Sequence, residues 1–257
     1  LDIRKKASYL SLRDQVVIVT GGASGIGEAI VEAFARQHAS VFFLDIDDTA
    51  ADRLIRRMEA AGLAPPAYYH CDLTDIAAIS ISVKAILTQS KKIDVLVNNA
   101  GNDSRHTIEQ VSSDFWDKTM AVNLKHQFFM AQAVIPCMTQ AGQGSIINMS
   151  SISWAIPSTG LPVYVTAKAA IVGLTRTLAH ELGKHNVRVN CVMPGAIQTE
   201  RQEQLWFTED YKAEILARQA LKRMIQPDEV AQLVLFLAAE DSSAITNQSF
   251  IIDGGWT

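Results

Sequence analysis

The sequence predicts an α/β fold: a single domain built on one doubly wound parallel sheet with helices on both faces. Three observations predict it. Short apolar, β-branched runs alternate with amphipathic stretches of helical period from one end of the chain to the other. A glycine-rich turn joins the first apolar run to the first helical stretch. No linker, repeat or low-complexity tract interrupts the 257 residues, so 1–257 reads as one unit.

Val16–Val19 is the first strand, and the stretch from Gly25 to His38 is helical. Val41–Leu44 is the second strand, followed by a helix over Thr49–Ala61. Ala67–His70, Val95–Val97, Ser145–Asn148, Arg188–Val192 and Ser249–Ile252 are further strands, rich in residues that favour extended backbone. Long helical patterns lie between most of them, notably Phe115–Gln140 and Tyr164–Leu182. Thr199–Arg218 reads as a helical excursion from this order. Parallel strands joined by right-handed crossovers open a ligand crevice at the strands' carboxyl ends.

Composition narrows the function. Twenty-three basic and 27 acidic residues give a net charge of −4, which argues against nucleic acid or an anionic membrane as a partner. The clusters Arg4-Lys5-Lys6 and Arg53, Arg56, Arg57 read as solvated surface. No apolar run is long enough for a membrane span, and residues 1–12 lack the apolar centre of a secretory signal. Cys71, Cys137 and Cys191 are odd in number and far apart, which suits a reducing, cytoplasmic setting better than a disulfide framework. The six histidines show no metal-ligand spacing, and no metal is expected.

The segment Thr20-Gly-Gly-Ala-Ser-Gly-Ile-Gly27 follows the first strand and opens the first helix. Gly21 permits a tight turn, Gly25 lets backbone approach a pyrophosphate, and Gly27 allows close helix–strand packing. With Ser24 and Ile26 they form a dinucleotide cradle at a helix N-terminus, the mark of a Rossmann fold. Asp45 ends the second strand, where a carboxylate accepts from ribose hydroxyls and repels a 2′-phosphate. No basic residue stands in the loop near Ser24, so NAD is the expected cofactor. The alternative for Asp45 is a helix cap, a role for which Asp47 and Asp48 are better placed.

With these residues the sequence resembles the short-chain dehydrogenase/reductase family over nearly its whole length. Thr20–Gly27 matches its glycine pattern, and Asp72-Leu73 its acidic pair, which implies an adenine contact. Asn98-Asn99-Ala100-Gly101 matches its N-N-A-G, and Pro194-Gly195 through Ile197 to Thr199 its P-G-x-x-x-T; the resemblance assigns Asn99, Ala100, Gly101, Pro194, Gly195, Ile197 and Thr199 to the cofactor. It assigns catalysis to Asn123, Ser151, Tyr164 and Lys168, with Ser151 standing 13 residues before Tyr164. It also implies a homodimer or homotetramer, paired through the helices of Phe115–Gln140 and Tyr164–Leu182. Stretches around Asn102, Asp103, Arg105 and His106, over Ala121–Phe129, around Ser151–Trp154, and over Pro194–Gln202 are similar to bacterial sugar 1-dehydrogenases.

The chemistry has a physical reason. A free tyrosine, with pKa near 10, is too little ionised to act as a base at neutral pH. Tyr164 and Lys168 are four apart on one helical face, so the ammonium is expected to favour the phenolate and to hold the nicotinamide ribose. Ser151 is expected to donate to the substrate oxygen, and Asn123, as an amide within an apolar helix, must find partners. The resemblance makes Asn123 the holder of a water in a proton relay through the lysine. Asn102, Ser151, Trp154, Tyr164 and Gln202 are the expected substrate contacts, the substrate being a small molecule, a pentose, galactose or 6-deoxy sugar oxidised at C1.

Several residues keep two readings. Trp154 stacks on a sugar face or packs in the wall. Trp206 and Phe207 belong to a mobile lid over 199–218 or serve as packing. His106 and His126 read first as hydrogen-bonded structural histidines, with a ligand role as the alternative. Other functions consistent with the pattern are oxidation of another secondary alcohol, reduction of an acyl-carrier ketone, and NAD sensing without turnover. Asp45 disfavours an NADPH-driven reductase, and the full catalytic set disfavours a sensor.

Overall fold

A computed structural model describes residues 6–257. Residues 1–5, which hold Arg4 and Lys5 and the start of the 1–12 segment read for a secretory signal, lie outside the described residues. The chain runs β1 (Val16–Thr20), α1 (Gly25–Arg36), β2 (Ser40–Asp45), α2 (Asp48–Ala60), β3 (Ala67–His70), α3 (Ile76–Ser90) and β4 (Val95–Asn98). It continues through α4 (Ser113–Met120), α5 (His126–Ala141), β5 (Gly144–Met149), α6 (Pro162–Leu182) and β6 (Val187–Pro194). Last come α7 (Glu200–Leu205), α8 (Glu209–Arg218), α9 (Pro227–Ala238) and β7 (Ser249–Ile252).

The strands form one parallel seven-stranded sheet in the order β3-β2-β1-β4-β5-β6-β7. The chain walks outward from β1 to β3, then returns to place β4 on the other side of β1. That reversal opens the crevice at the carboxyl ends of β1 and β4. Central strands are buried on both faces, which is why VVIVT is apolar without alternation up to its last residue. Val17 and Val19 face a layer containing Ile30, Phe34, Val230 and Val234 from α1 and α9. Ile18 and Leu96 face the opposite layer, with Val83, Ile86, Met130 and Val134 from α3 and α5. Burial of side chains of this size contributes about 1.5–3 kcal/mol each.

Two helical expectations are corrected. The first helix stops at Arg36 rather than His38, because His38 takes a left-handed φ of 62° that ends the helix. The single helix expected over Phe115–Gln140 is broken by a π turn at Ala121–Lys125, between α4 and α5. Asn123 lies within that turn. Among the described residues no helix is long and apolar enough to cross a membrane.

Candidate active site

The crevice is lined by the ends of successive strands: Gly21, Ser24, Gly25, Ile26 and Gly27 after β1, Asp45 from β2, Asp72 and Leu73 after β3, and Asn99, Ala100 and Gly101 after β4. Pro194, Gly195, Ile197 and Thr199 line it from β6 onward. The residues fit a dinucleotide. Gly21 has φ +63°, and a Cβ there would stand 2.8 Å from the Cα of Ala100. A Cβ on Gly27 would meet the Gly21 carbonyl at 1.8 Å, so α1 can approach this closely only without a side chain. The α1 N-terminus has no side-chain cap, since Ser24 does not bond to it, which leaves its N–H groups free for phosphate.

Three of these residues hold the cradle as well as line it. The Asp45 carboxylate accepts from the backbone N–H of Ala23 (2.9 Å), Ile46 (2.8 Å) and Asp47 (3.1 Å). Asp47, not Asp45, caps α2 by accepting from Ala50. The Asn99 amide donates to the carbonyls of Thr20 and Gly21, both at 3.0 Å, clamping the glycine turn to β4. Asp72 accepts from the Thr74 N–H and hydroxyl. The fold also brings Arg53 and Arg57 of α2 to the rim beside Ile46, which corrects the expectation that nothing basic stands near. Chain order concealed this because α2 folds back over the β2 terminus. Arg57 is paired with Glu28 and Glu32, whereas Arg53 makes no ion pair among the described residues.

Farther along, Ser151, Tyr164 and Lys168 line the crevice together. Ser151 follows β5; Tyr164 and Lys168 sit one turn apart on α6. The Lys168 Nζ donates to the Met149 carbonyl (3.0 Å) and lies 5.3 Å from the Tyr164 ring centroid. Burial pulls the lysine down to about 8, opposed by Cys191 and Asp103. Burial also pushes the Tyr164 phenol above its ordinary value, and the Asp103 carboxylate adds to that; a hydrogen bond with Ser151 and the Arg105 charge work the other way. The expected lowering of the phenol by Lys168 is therefore corrected. Loss of water around the ring outweighs the charges that favour phenolate, and Lys168 spends its contact on Met149.

Asn123 is fully buried behind Gly101 and does not line the crevice. Its Oδ1 accepts from the Asn102 N–H (2.8 Å), and its Nδ2 donates to the Asn102 and Thr119 carbonyls, each at 3.0 Å. A Cβ on Gly101 would stand 3.1 Å from that Oδ1 and 3.2 Å from Lys168 Nζ, so glycine lets both groups close in.

Asn102 and Gln202 line the crevice from opposite sides, together with Asp103, Arg105 and Arg201. Gln202 Nε2 donates to Asp103 (2.8 Å) and Arg201 donates to Asn102 Oδ1 (3.1 Å). Trp154 is the residue the structure leaves out: it is 37% exposed and does not line the crevice, because the tight turn after Ser151 presents Ser153 and Ile156 instead. Phe207 lines the crevice and packs edge-on against Tyr211, while Trp206 lies under the Arg105 guanidinium at 5.2 Å. Tyr211, Glu214 and Arg218, within the 199–218 segment read as a lid but not singled out there, also line the crevice, as does Trp256, for which sequence order gave no signal. They come from α8 and the last residues of the chain, brought there by the fold alone.

Comparison with known proteins agrees with this geometry. A family model described as enoyl-(acyl carrier protein) reductase matches residues 21–257. The D-xylose 1-dehydrogenase of Caulobacter vibrioides is 47% identical over 250 residues, 97% of this chain and 98% of that protein. The probable galactose dehydrogenase of Rhizobium meliloti is 45% identical over 249 residues, 97% of each chain. Among solved structures, the aldohexose dehydrogenase of Thermoplasma acidophilum superposes with a TM-score of 0.86 at 32% identity, covering 97% of this chain and 96% of that one. The fold is thus one that binds a nicotinamide nucleotide, and the chain belongs to the short-chain dehydrogenase/reductase family, as an oxidoreductase of CH–OH donors.

Proposed function

We propose that the chain oxidises the anomeric hydroxyl of an aldose, a pentose, galactose or a 6-deoxy sugar, to a lactone with NAD. The observation that carries this reading is the pairing of Ser151, Tyr164 and Lys168 with a wall of amides and charges: Asn102, Asp103, Arg105, Arg201 and Gln202. An acyl or steroid substrate has no use for such a wall, whereas a polyhydroxylated ring can hydrogen-bond it. Sites built this way reject analogues lacking the hydroxyl strongly. The names of the sugar dehydrogenases that resemble this chain support the same substrate class.

In this reading Tyr164 accepts the proton of the C1 hydroxyl. Ser151 donates to the same oxygen and fixes it. A bound nicotinamide supplies the acceptor for the C1 hydride. Lys168 supplies positive charge beside the phenol and the cofactor ribose, and Asn123 holds the Asn102 backbone where the sugar enters. Residues 199–218 form the lid. Among the described residues it is tied to the substrate loop by side chains, through Arg201, Gln202 and the Arg105–Trp206 stack.

Asp45 supports NAD over NADP, because a 2′-phosphate would lie against a carboxylate fixed by three backbone N–H groups. Arg53, exposed on the rim, is the opposing charge. Free aldoses assayed with NAD and with NADP test both claims. We expect oxidation of a pentose or galactose, higher kcat/KM with NAD, a smaller gap in Asp45→Ala, and a larger one in Arg53→Ala. Turnover of the methyl glycoside would move the reaction away from C1, and oxidation of a polyol or hydroxy acid instead of every aldose would reject the substrate class.

A further inference from the structure

Helix α6, which carries Tyr164 and Lys168, begins without a side-chain cap of its own. Its N-cap is Leu161, which has nothing to offer, and its first residue is Pro162, which has no N–H. Val165 already bonds back to the Leu161 carbonyl (3.0 Å). The Val163 N–H, next to Tyr164, therefore needs an acceptor from elsewhere in the fold. His106 provides it: Val163 N–H donates to His106 Nε2 at 3.3 Å.

The other ring nitrogen fixes the tautomer. His106 Nδ1 lies 2.9 Å from the Ser104 carbonyl, which can only accept, so Nδ1 carries the proton and Nε2 the lone pair. The His106 backbone N–H donates to the Gly160 carbonyl (2.8 Å), and the ring, 6% exposed, packs on Phe115 with centroids 4.6 Å apart. One neutral imidazole thus joins the loop of Asn102, Asp103 and Arg105 to the first turn of the catalytic helix.

We propose that His106 is a positioning residue for Tyr164, strapping the substrate loop to the N-terminus of α6 and setting the distance between the sugar and its proton acceptor. The role rests on Tyr164 acting as that acceptor. Only the neutral Nδ1–H form serves, because a second ring proton would face the Val163 N–H, donor against donor.

Two conservative replacements separate the two bonds. In His106→Gln the amide oxygen can reach the Nε2 position and accept from Val163. In His106→Asn the shorter amide can donate to Ser104 but leaves Val163 unpaired. We expect His106→Gln to keep kcat within about 3-fold of wild type. His106→Asn and His106→Ala should lose about 10-fold or more in kcat, with NADH affinity unchanged. Hydrogen exchange of peptides spanning residues 161–168 gives a readout independent of turnover. Exchange at the start of α6 should quicken in the Asn and Ala variants and stay slow in the Gln variant. Equal kcat and equal exchange in the Gln and Asn variants, or unchanged exchange in whichever variants fold, would overturn the strap. A wild-type chain that oxidises no aldose would reject the substrate reading instead, and the exchange comparison would still decide the cap.

Discussion

Tyr164 meets two opposing influences at its hydroxyl, and burial wins, which sets the direction of the pH dependence. A phenol must lose its proton before it can take one from a sugar. A raised value therefore leaves the base form scarce at neutral pH, and kcat/KM for oxidation should climb on the alkaline side. Tyr164→Phe removes the acceptor and little else. Its kcat should fall by about 10²–10⁴-fold while NADH titration by fluorescence remains close to wild type. A variant retaining a tenth of wild-type kcat would exclude Tyr164 as the base.

His126 lies fully buried at the start of α5, and burial first, then the Lys168 charge, pull it down to about 3. Neither ring nitrogen has a well-formed hydrogen bond, although the Ala121 and Val122 carbonyls favour the cation. The folded value lies below the ordinary 6.5. Between the two, the unfolded chain holds a proton that the folded chain does not, so stability falls as pH drops through that window. The slope from this one group is about 1.4 kcal/mol per pH unit. Denaturant titrations from neutrality to pH 4 should show His126→Leu losing less stability with acid than wild type. Equal losses in the two would mean the imidazole protonates in the folded state.

At the scale of elements, α7 and the loop after β4 meet across the crevice, their bonded partners standing 99 positions apart in sequence. Thr199 caps α7 by accepting from the Gln202 N–H, so the segment after β6 and the start of α7 reach the loop after β4 together. Loss of one hydrogen bond to a carboxylate weakens such a latch by about 1.5–3 kcal/mol. Gln202→Ala should therefore raise KM for the sugar by about 10-fold or more, with a smaller effect on kcat and none on the cofactor KM. An unchanged sugar KM would show that the latch does not shape the substrate site. The π turn between α4 and α5 is the other device at this scale: it carries Asn123, whose side-chain amide holds the Asn102 backbone.

Across the whole molecule, large apolar side chains remain outside on helices whose other faces are packed. Trp116 on α4 is 41% exposed and Phe128 on α5 46%. β7, the edge strand, leaves Ile251 48% exposed. Isolated exposed apolar residues need no explanation, but aromatic ones of this size on neighbouring helices favour a partner surface. We propose a homodimer or homotetramer, paired through α4, α5 and α6 across a two-fold axis. Sedimentation velocity should give a species larger than 28.1 kDa, and Phe128→Glu should reduce its size without loss of helical circular dichroism. A monomeric wild-type chain would reject the pairing.

Much of this was legible before any coordinates. Strand alternation with helices, the glycine turn and Asp45 are local patterns, because hydrophobic period and turn chemistry are written in neighbouring residues. Tyr164 and Lys168 were readable together for the same reason, since one helical turn fixes their relation. Strand boundaries fell within a residue or two, and the ends of α1 and of the α4–α5 stretch were harder. A left-handed His38 and a π turn at Asn123 depend on what the neighbouring elements offer.

What the sequence by itself determined is the sheet, the glycine turn and the placing of Tyr164 and Lys168 one turn apart on one helix. Only the tertiary structure decided which side chains share the crevice and what each environment does to them. Arg53 reached the rim, Trp154 turned outward, and Trp256 came to the outer wall through contacts that no spacing encodes. The direction of the Tyr164 shift was likewise decided in three dimensions. Sequence supplies the nearby charge, but desolvation depends on everything that excludes water from the ring, and here it is the larger effect.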